Sequence, residues 1–327
     1  MFNPTANSSK RLIQRMSGAL ALSLDHIFEQ SEHSLDIGQR AKEILLSRLH
    51  NGSRESPALY ALHFLLINQI RRDSLTSAQA TINRILSLSP ADIGTVSIQL
   101  GAPEAHADLV VILPFLAEGE DARFSFVEPS ARQAELALQQ IDEALQMLRV
   151  GAFPFHSEIG EIVPWIVVAA GKPTEINEDP ESSFGGASAL RAFGAVLQNA
   201  DLQDSVFDRA LSLVHETSHH VLFAHSPKDG VVTNPPTELY SSPLRTDPRP
   251  MEGIHHATFV LARMALVARQ LLESGLLSKQ DNELARETIA DSRTLFADGL
   301  ETLDQYANYT PLGSQAIDEA RAFMASL

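Results

Sequence analysis

Apolar residues recur at intervals of three or four positions over most of the chain, the spacing that places them on one face of an α-helix. In the first ninety residues this pattern predicts successive helices at 37–52, 58–73 and 76–90. The first of these ends at Asn51-Gly52, and Ser56-Pro57 supplies an N-cap and a first-turn proline for the second. This part of the chain is therefore predicted to be a helical layer.

The pattern changes between residues 94 and 200, where short β-branched or continuous apolar runs are typical of strands. Three such runs are TVSIQL at 95–100, VVILPFLA at 110–117 and EIVPWIVVAAG at 161–171. Between them, apolar residues at helical spacing predict a helix that ends at Gly151. A Ser- and Gly-rich stretch at 179–199 predicts a loop followed by a short strand. Together these elements predict a small sheet packed on helices.

Helical periodicity returns from residue 201 and is interrupted by an irregular segment at 226–250 that holds six prolines. A connection of this length inside a compact domain is usually functional or disordered. Further helices are predicted after it, the last of them near 314–326. We therefore predict a mainly α, multi-helical fold with a small β element in the middle of the chain. Its parts are an N-terminal helical layer (1–93), a mixed α/β segment (94–200) and a C-terminal helical part (201–327), integrated into one domain.

The charge and composition narrow the range of partners. The 25 Lys and Arg residues against 41 Asp and Glu residues give a formal net charge of −16, which repels nucleic-acid phosphates and anionic membrane surfaces. The absence of cysteine excludes disulfides and thiolate metal sites. The apolar patch from Leu20 to Leu24 is far shorter than the ~18 residues of a membrane span. We therefore predict a soluble, cytoplasmic protein that binds neither nucleic acid nor membranes.

The stretch HETSHH, His215 to His220, lies inside an apolar-patterned run and contains the pattern H-E-x-x-H. Helical residues four apart differ by ~40° and ~6 Å of rise, so the imidazoles of His215 and His219 can share one cation. Glu216 lies ~100° round the helix, outside the ligand set but close enough to touch a molecule on the metal. Six of the twelve histidines fall within 215–256. The pattern therefore predicts a metal site in the C-terminal part.

Two histidines need at least a third protein ligand, and several residues are candidates. His225 has the metzincin spacing, but Leu222 stands where those proteases have a glycine that turns the chain. Glu238 has nearly the gluzincin spacing but lies in the proline-rich segment. His255 and His256 begin the next helix, which the long connection can bring back antiparallel to the first. Adjacent helical residues point ~100° apart, so only one of this pair faces the metal, and periodicity does not choose between them.

The residues around this site resemble the HExxH family of peptide-modifying proteins found with ribosomal peptide biosynthesis. The resemblance covers about residues 180–270 and combines LVHETSHHVLF, the segment ELYSSPLRTDPRP and a helix that opens with GIHHA. The family pattern of a glycine, a histidine three residues on and then a small residue falls on Gly253, His256 and Ala257. The resemblance thus implies His256 as the third ligand, with His255 as the alternate.

The resemblance also implies an activity: a non-haem iron(II), 2-oxoglutarate-dependent oxygenase that β-hydroxylates a side chain of a ribosomally made precursor peptide. Three protein ligands would leave room on iron for a chelating 2-oxo acid and dioxygen. The far carboxylate of 2-oxoglutarate needs a cation, and arginine supplies a bidentate fork. The candidates for this contact are Arg245 and Arg249, with a hydrogen bond from Tyr240. His220 and Asp247 would orient the neighbouring groups.

Two other interpretations stay open. In a zinc metallopeptidase, Glu216 would be the general base that activates water on the metal. In the oxygenase it would instead hold His220 or the substrate. In a non-catalytic peptide-binding scaffold, the same histidines would hold a structural metal. The precursor peptide is the expected partner of the oxygenase, and no oligomeric state is predicted.

Overall fold

The structure, a computed structural model, describes residues 2–103, 106–117, 124–174, 184–202, 205–227, 229–242 and 247–327. The α-helices in these ranges are α1 (Ala6–Ser31), α2 (Gln39–His50), α3 (Pro57–Arg71), α4 (Leu75–Ser87), α5 (His106–Ala117), α6 (Ala131–Gly151), α7 (Phe153–Ile162), α8 (Val206–His225), α9 (Met251–Ser274), α10 (Lys279–Tyr306) and α11 (Pro311–Met324). The strands are β1 (Val96–Gln99), β2 (Phe124–Val127), β3 (Trp165–Pro173), β4 (Gly186–Ser188), β5 (Ala195–Asn199), β6 (Leu239–Tyr240) and β7 (Arg249–Pro250). With 66 % of the described residues helical and only a few short strands in the middle of the chain, the predicted mainly α class is confirmed.

The chain forms two compact units, each built from segments that are distant in the sequence. The first unit combines Met1–Ser9, Gln139–Ile159 and Gln203–Leu327. The second combines Lys10–Leu138 and Gly160–Leu202. Helices α8 to α11 belong to the first unit, which therefore contains the H-E-x-x-H motif and both candidate third histidines. In the described ranges, no helix combines the length and apolar character needed to cross a bilayer.

The second unit contains the main sheet. Strand β3 lies at its centre, parallel to β1 on one side and to β5 on the other, while β4 pairs antiparallel with β5. Strand β2 pairs antiparallel with the last residues of β3. Every residue of β5 is buried, including the polar Gln198 and Asn199, as expected for an interior strand covered on both faces. The predicted strand runs 95–100 and 161–171 and the predicted strand within 179–199 are confirmed, although the last region forms two strands, β4 and β5.

The prediction of a strand at VVILPFLA, residues 110–117, is wrong, because this run forms most of α5. Leu109, Ile112 and Leu116 are almost fully buried, whereas Val110 is 55 % exposed, so the run buries one helical face against the core of its unit. A continuous apolar run has no alternation from which a strand could be told apart from a helix. Its β-branched residues favour a strand locally, and packing overrides that preference.

A buried histidine in the second unit makes the stability of the protein depend on pH. The Nε2 atom of His63 on α3 lies 2.8 Å from the hydroxyl of Ser23 on α1, and burial lowers the pKa of His63 from 6.5 to about 4. The unfolded chain therefore binds a proton more readily than the native protein between pH 6.5 and pH 4. The contribution of neutral His63 to the free energy of unfolding is fully present above pH 6.5 and is lost as the pH falls towards 4.

We expect the free energy of unfolding of the wild type to fall between pH 7 and pH 4 by about 3 kcal/mol more than that of the His63→Gln variant. This difference follows from about 1.36 kcal/mol per pKa unit. Glutamine keeps an acceptor for Ser23 but takes up no proton. Urea unfolding at the two pH values measures the difference. The exposed His26 provides a control, since His26→Gln should follow the wild type. Parallel pH profiles for wild type and His63→Gln would contradict this assignment.

Candidate metal centre

Helix α8 carries the H-E-x-x-H motif in the middle of twenty helical residues. It begins with a capping box, in which the Ser205 hydroxyl accepts from the Asp208 amide at 3.1 Å and the Asp208 carboxylate accepts from the Ser205 amide at 3.2 Å. The helix then runs without interruption to His225. Because residues four apart share a face, the rings of His215 and His219 lie with centroids 5.0 Å apart and Nε2 atoms 3.2 Å apart.

Helix α9 packs against α8 in the opposite direction. His215 contacts Met264, whereas His219, one turn later, contacts His256, so the residue numbers rise on one helix as they fall on the other. The predicted antiparallel return of the chain is therefore confirmed. Helix α9 begins directly after Pro250 and ends at Gly275, whose φ of +71° is the left-handed conformation that glycine adopts without strain.

The structure brings His256, and not His255, to the H-E-x-x-H motif. The ring of His256 stacks on that of His219 at 20° with centroids 5.5 Å apart, and their Nδ1 atoms are 3.2 Å apart. The His255 imidazole instead contacts the first turn of α11, with its Nε2 atom 3.0 Å from the Gly313 carbonyl oxygen. Tyr309 packs edge-on against the same ring at 6.0 Å. His255 is therefore placed to support α11, and His256 is placed to complete a three-histidine cluster with His215 and His219.

Burial sets the protonation state of this cluster. It lowers the pKa of His219 well below 6.5, and positive charge on His215, His256 or His220 would lower it further. Burial, with a smaller effect of His255, lowers the pKa of His256 to about 3. Both rings are therefore neutral at pH 7, and neutral imidazole is the form that binds a metal.

Helix α9 supplies a contact to one ring nitrogen of His215. Its Nδ1 atom lies 3.4 Å from the sulfur of Met264, a weak acceptor for a ring N–H. With a proton on Nδ1, the lone pair of the ring would be on the Nε2 atom, which faces His219. A contact to the second ring nitrogen is the usual way in which a metal-binding histidine is oriented.

The two contacts of His219 use different ring nitrogens, Nε2 towards His215 and Nδ1 towards His256. One ion can bind only one of them, so a ring must rotate before all three histidines surround a single point. Accordingly, within the described ranges no set of three His, Cys, Asp or Glu side chains already has its donor atoms in a metal-binding arrangement.

Glu216 and His220, the two further residues of the motif with a predicted role, are both buried. Glu216 is 6 % exposed and His220 is fully buried, four residues further along α8. The ring of Phe223 lies 5.9 Å from that of His220, 6.4 Å from that of His219 and 5.3 Å from that of His256. An aromatic side chain thus packs against three of the histidines.

The irregular segment contains the residues predicted to bind a cosubstrate. Within it, β6 pairs with β7, and Tyr240 is the partner of Arg249. The Arg249 guanidinium is 22 % exposed and forms an ion pair with Asp247, with 3.1 Å between Nε and Oδ2. The Tyr240 hydroxyl donates to the Glu238 carboxylate at 2.5 Å and accepts from Asn234 at 3.3 Å. The predicted Arg245 lies outside the described residues.

Comparison with known proteins leaves the family unassigned. No protein-family model matches the chain, and no curated protein is significantly similar to it. The function must therefore be argued from the residues themselves.

Sequence reasoning missed several residues around the cluster, namely Ser218, Phe223, Arg263 and Met264. Arg263 carries a signal that could have been used, because an arginine within the apolar run VLARMALVA must be buried and therefore requires a partner. Met264 and Phe223 carry no comparable signal, since apolar residues on a buried helix are expected wherever they point. The contact of Met264 with His215 and that of Phe223 with His256 depend on how α8 and α9 meet. Phe223 reaches His219 and His220 through the helical repeat of α8 alone.

Proposed function

We propose that the protein is an iron(II)- and 2-oxoglutarate-dependent oxygenase that hydroxylates a side chain of a ribosomally made peptide. The observation that carries the proposal is the contact of three imidazoles from two antiparallel helices, His215 and His219 from α8 and His256 from α9. The likeness of the surrounding sequence to the HExxH peptide-modifying family supports iron as the metal. The predicted peptide and 2-oxoglutarate follow from the same resemblance.

The donor set fits a first-row transition metal. Nitrogen atoms bound at about 2.0–2.1 Å lie about 3.0–3.4 Å apart, and the Nε2 atoms of His215 and His219 are separated by 3.2 Å. His256 would be the third ligand of this set. When bound, iron(II) and 2-oxoglutarate would supply dioxygen activation, with one oxygen atom entering a peptide C–H bond and the other entering succinate as carbon dioxide leaves.

Two features favour the oxygenase over a zinc metallopeptidase. Helix α8 continues through Leu222 to His225, which carries that residue ~9 Å along the axis from His219. Glu238 is exposed in the irregular segment and accepts a hydrogen bond from Tyr240. Neither residue is therefore placed on a turn or second helix of the kind that supplies the third ligand in those two peptidase patterns.

The remaining residues would act on the peptide and the cosubstrate. Phe223 would exclude water from the reacting carbon, while Glu216 would hold His220 or a polar group of the peptide. Arg249 would exchange its ion pair with Asp247 for the far carboxylate of 2-oxoglutarate, since a guanidinium binds either carboxylate through the same fork.

The proposal is tested by adding iron(II) and 2-oxoglutarate to the purified protein without oxygen. We expect a weak charge-transfer absorption and, after addition of oxygen and peptides encoded beside the gene, a mass gain of one oxygen atom with release of succinate. Zinc retained on purification, no binding of 2-oxoglutarate and peptide cleavage abolished by Glu216→Gln would identify a metallopeptidase instead. Binding of neither metal nor 2-oxoglutarate would leave the scaffold interpretation.

We expect Arg249→Ala to raise the concentration of 2-oxoglutarate required for half-maximal absorption by about 10- to 100-fold, because a hydrogen bond to a charged group contributes about 1.5–3 kcal/mol. The iron content should stay unchanged. Titration of the anaerobic iron protein with 2-oxoglutarate gives both quantities.

Two variants control for this result. Asp247→Asn removes the carboxylate that competes for Arg249 and should lower the requirement. Arg321→Ala removes a similar arginine–aspartate pair on α11, with Asp304, and should leave it unchanged. If wild type and Arg249→Ala required the same concentration of 2-oxoglutarate, Arg249 would not be part of the cosubstrate site.

A further inference from the structure

A fully buried arginine links the two helices that carry the histidine cluster. Arg263 on α9 is 0 % exposed, and its Nε atom donates to the Ser218 hydroxyl on α8 at 2.8 Å. Its Nη1 atom donates to the Phe2 carbonyl oxygen at 2.9 Å, and Nη2 donates to the Glu158 carboxylate. The guanidinium also lies 5.1 Å from the ring centroid of Phe155. Because the fork is planar and each nitrogen has a partner, the group has little freedom to move.

Ser218 has equally little freedom. Its hydroxyl donates to the Val214 carbonyl oxygen at 2.6 Å and accepts from Arg263. Ser218 directly precedes His219 in the chain, and it is fully buried. The bond from Arg263 is therefore made to a fixed point of α8 beside the central histidine of the cluster.

Arg263, which donates this bond, lies on the same helix as His256, the third histidine. Arg263 follows His256 by seven residues, which on an α-helix is two turns along almost the same face. Most of the buried residues of α9 are apolar, and apolar contacts tolerate exchange better than a directed hydrogen bond does. A shift of α9 by one turn, about 5.4 Å, would break the bond and remove His256 from His219.

We propose that Ser218 and Arg263 are positioning residues that hold α8 and α9 in the register at which His256 shares a metal ion with His215 and His219. This inference rests on the proposed metal site, but it holds for iron or zinc alike. It concerns neither 2-oxoglutarate nor the peptide.

A matched pair of variants on α8 tests the inference. Thr217 and Ser218 are both buried, and each donates its hydroxyl to the carbonyl four residues earlier, at 2.7 and 2.6 Å. Of these two described hydroxyls, only that of Ser218 is bonded to α9. Thr217→Ala and Ser218→Ala therefore remove similar bonds within the helix, whereas Ser218→Ala alone also removes the link between the helices.

We expect Ser218→Ala to bind cobalt(II), used as a spectroscopic probe, about 10- to 100-fold more weakly than wild type, the range found when partners of metal ligands are removed. The visible spectrum of its cobalt complex should also change. Thr217→Ala should stay within about twofold of the wild-type cobalt affinity, even if its Tm falls as far as that of Ser218→Ala. Ser218→Thr, which retains the hydroxyl, should preserve tight binding and provides the comparison if Ser218→Ala does not fold.

Equal cobalt affinities for Thr217→Ala and Ser218→Ala would overturn the positioning role and leave the metal site standing. Weak binding by Ser218→Thr despite a wild-type Tm would also overturn it. If the wild type binds neither cobalt(II) nor iron(II), the proposed function and this inference both fail.

Discussion

Replacement of His219 by alanine is expected to abolish tight binding of iron(II). His219 is the central member of the cluster, with one ring nitrogen 3.2 Å from His215 and the other 3.2 Å from His256. Loss of a residue that merely orients a ligand weakens metal binding about 10- to 100-fold, so loss of a ligand should cost more than about 100-fold. Metal content after anaerobic reconstitution and gel filtration measures the effect. His215→Ala and His256→Ala should behave in the same way.

Two further histidines provide controls for this experiment. His225→Ala changes the last residue of α8 and should leave the iron content unchanged. His255→Gln changes a residue whose Nε2 atom contacts the Gly313 carbonyl and should retain iron. Full iron content in His256→Ala would refute its role and transfer the third position to His255 or to a carboxylate.

The second large effect is expected at a glycine far from the motif in sequence. Gly313 lies in the first turn of α11, where an added Cβ atom would come well inside 3.0 Å of the Val231 carbonyl oxygen. That oxygen already accepts from the Thr310 amide at 3.1 Å, so it cannot move without losing a buried hydrogen bond. The Gly313 carbonyl in turn faces His255.

We expect Gly313→Ala to lower the free energy of unfolding by about 3 kcal/mol, combining about 1–3 kcal/mol for overpacking with about 1 kcal/mol for a lost hydrogen bond. The iron affinity should fall as well, because His255 adjoins His256. Urea unfolding and iron titration measure the two effects.

Gly18 in α1 gives a control of opposite sign. It also lies inside a helix, but a Cβ atom there would meet nothing within 4 Å. Gly18→Ala should therefore stabilise the protein by about 0.5–1 kcal/mol, since alanine loses less conformational freedom in a helix. A Gly313→Ala variant as stable as the wild type would show that α11 is not held against Val231 by this close contact.

Much of the fold could be predicted from the sequence, because helix formation depends on local spacing and local end signals. The Ser56-Pro57 start of α3 is confirmed, with the Ser56 hydroxyl accepting from the Ala58 amide, and α6 ends at Gly151 as predicted. The prediction of a strand at residues 110–117, in α5, failed because the apolar residues there are continuous. The assembly of the first unit from three separate segments also had no local signal, since only long-range packing joins residues 139–159 to α8 and α9.

In the candidate site, too, contacts between residues close in the sequence could be predicted, whereas contacts between helices could not. The pairing of His215 with His219 follows from the four-residue helical repeat, and their contact in the structure agrees with it. The ion pair of Arg249 with Asp247, two residues apart, was also foreseeable from the sequence. The contacts of Met264 and Arg263 with the motif could not be derived, because each depends on the position of a second helix.

By itself, the sequence determined that α8 presents two imidazoles on one face and that a further histidine pair begins the next helix. It did not determine which histidine of that pair turns towards α8. Helix α9 is buried on nearly every side, from Met251 and Ile254 to Ala268 and Leu271, so its apolar residues mark no single inward face. The tertiary structure decided the question, because the rotation of α9 is set by contacts with α8, α10 and α11 at once. Those contacts direct His255 to the Gly313 carbonyl and His256 to His219.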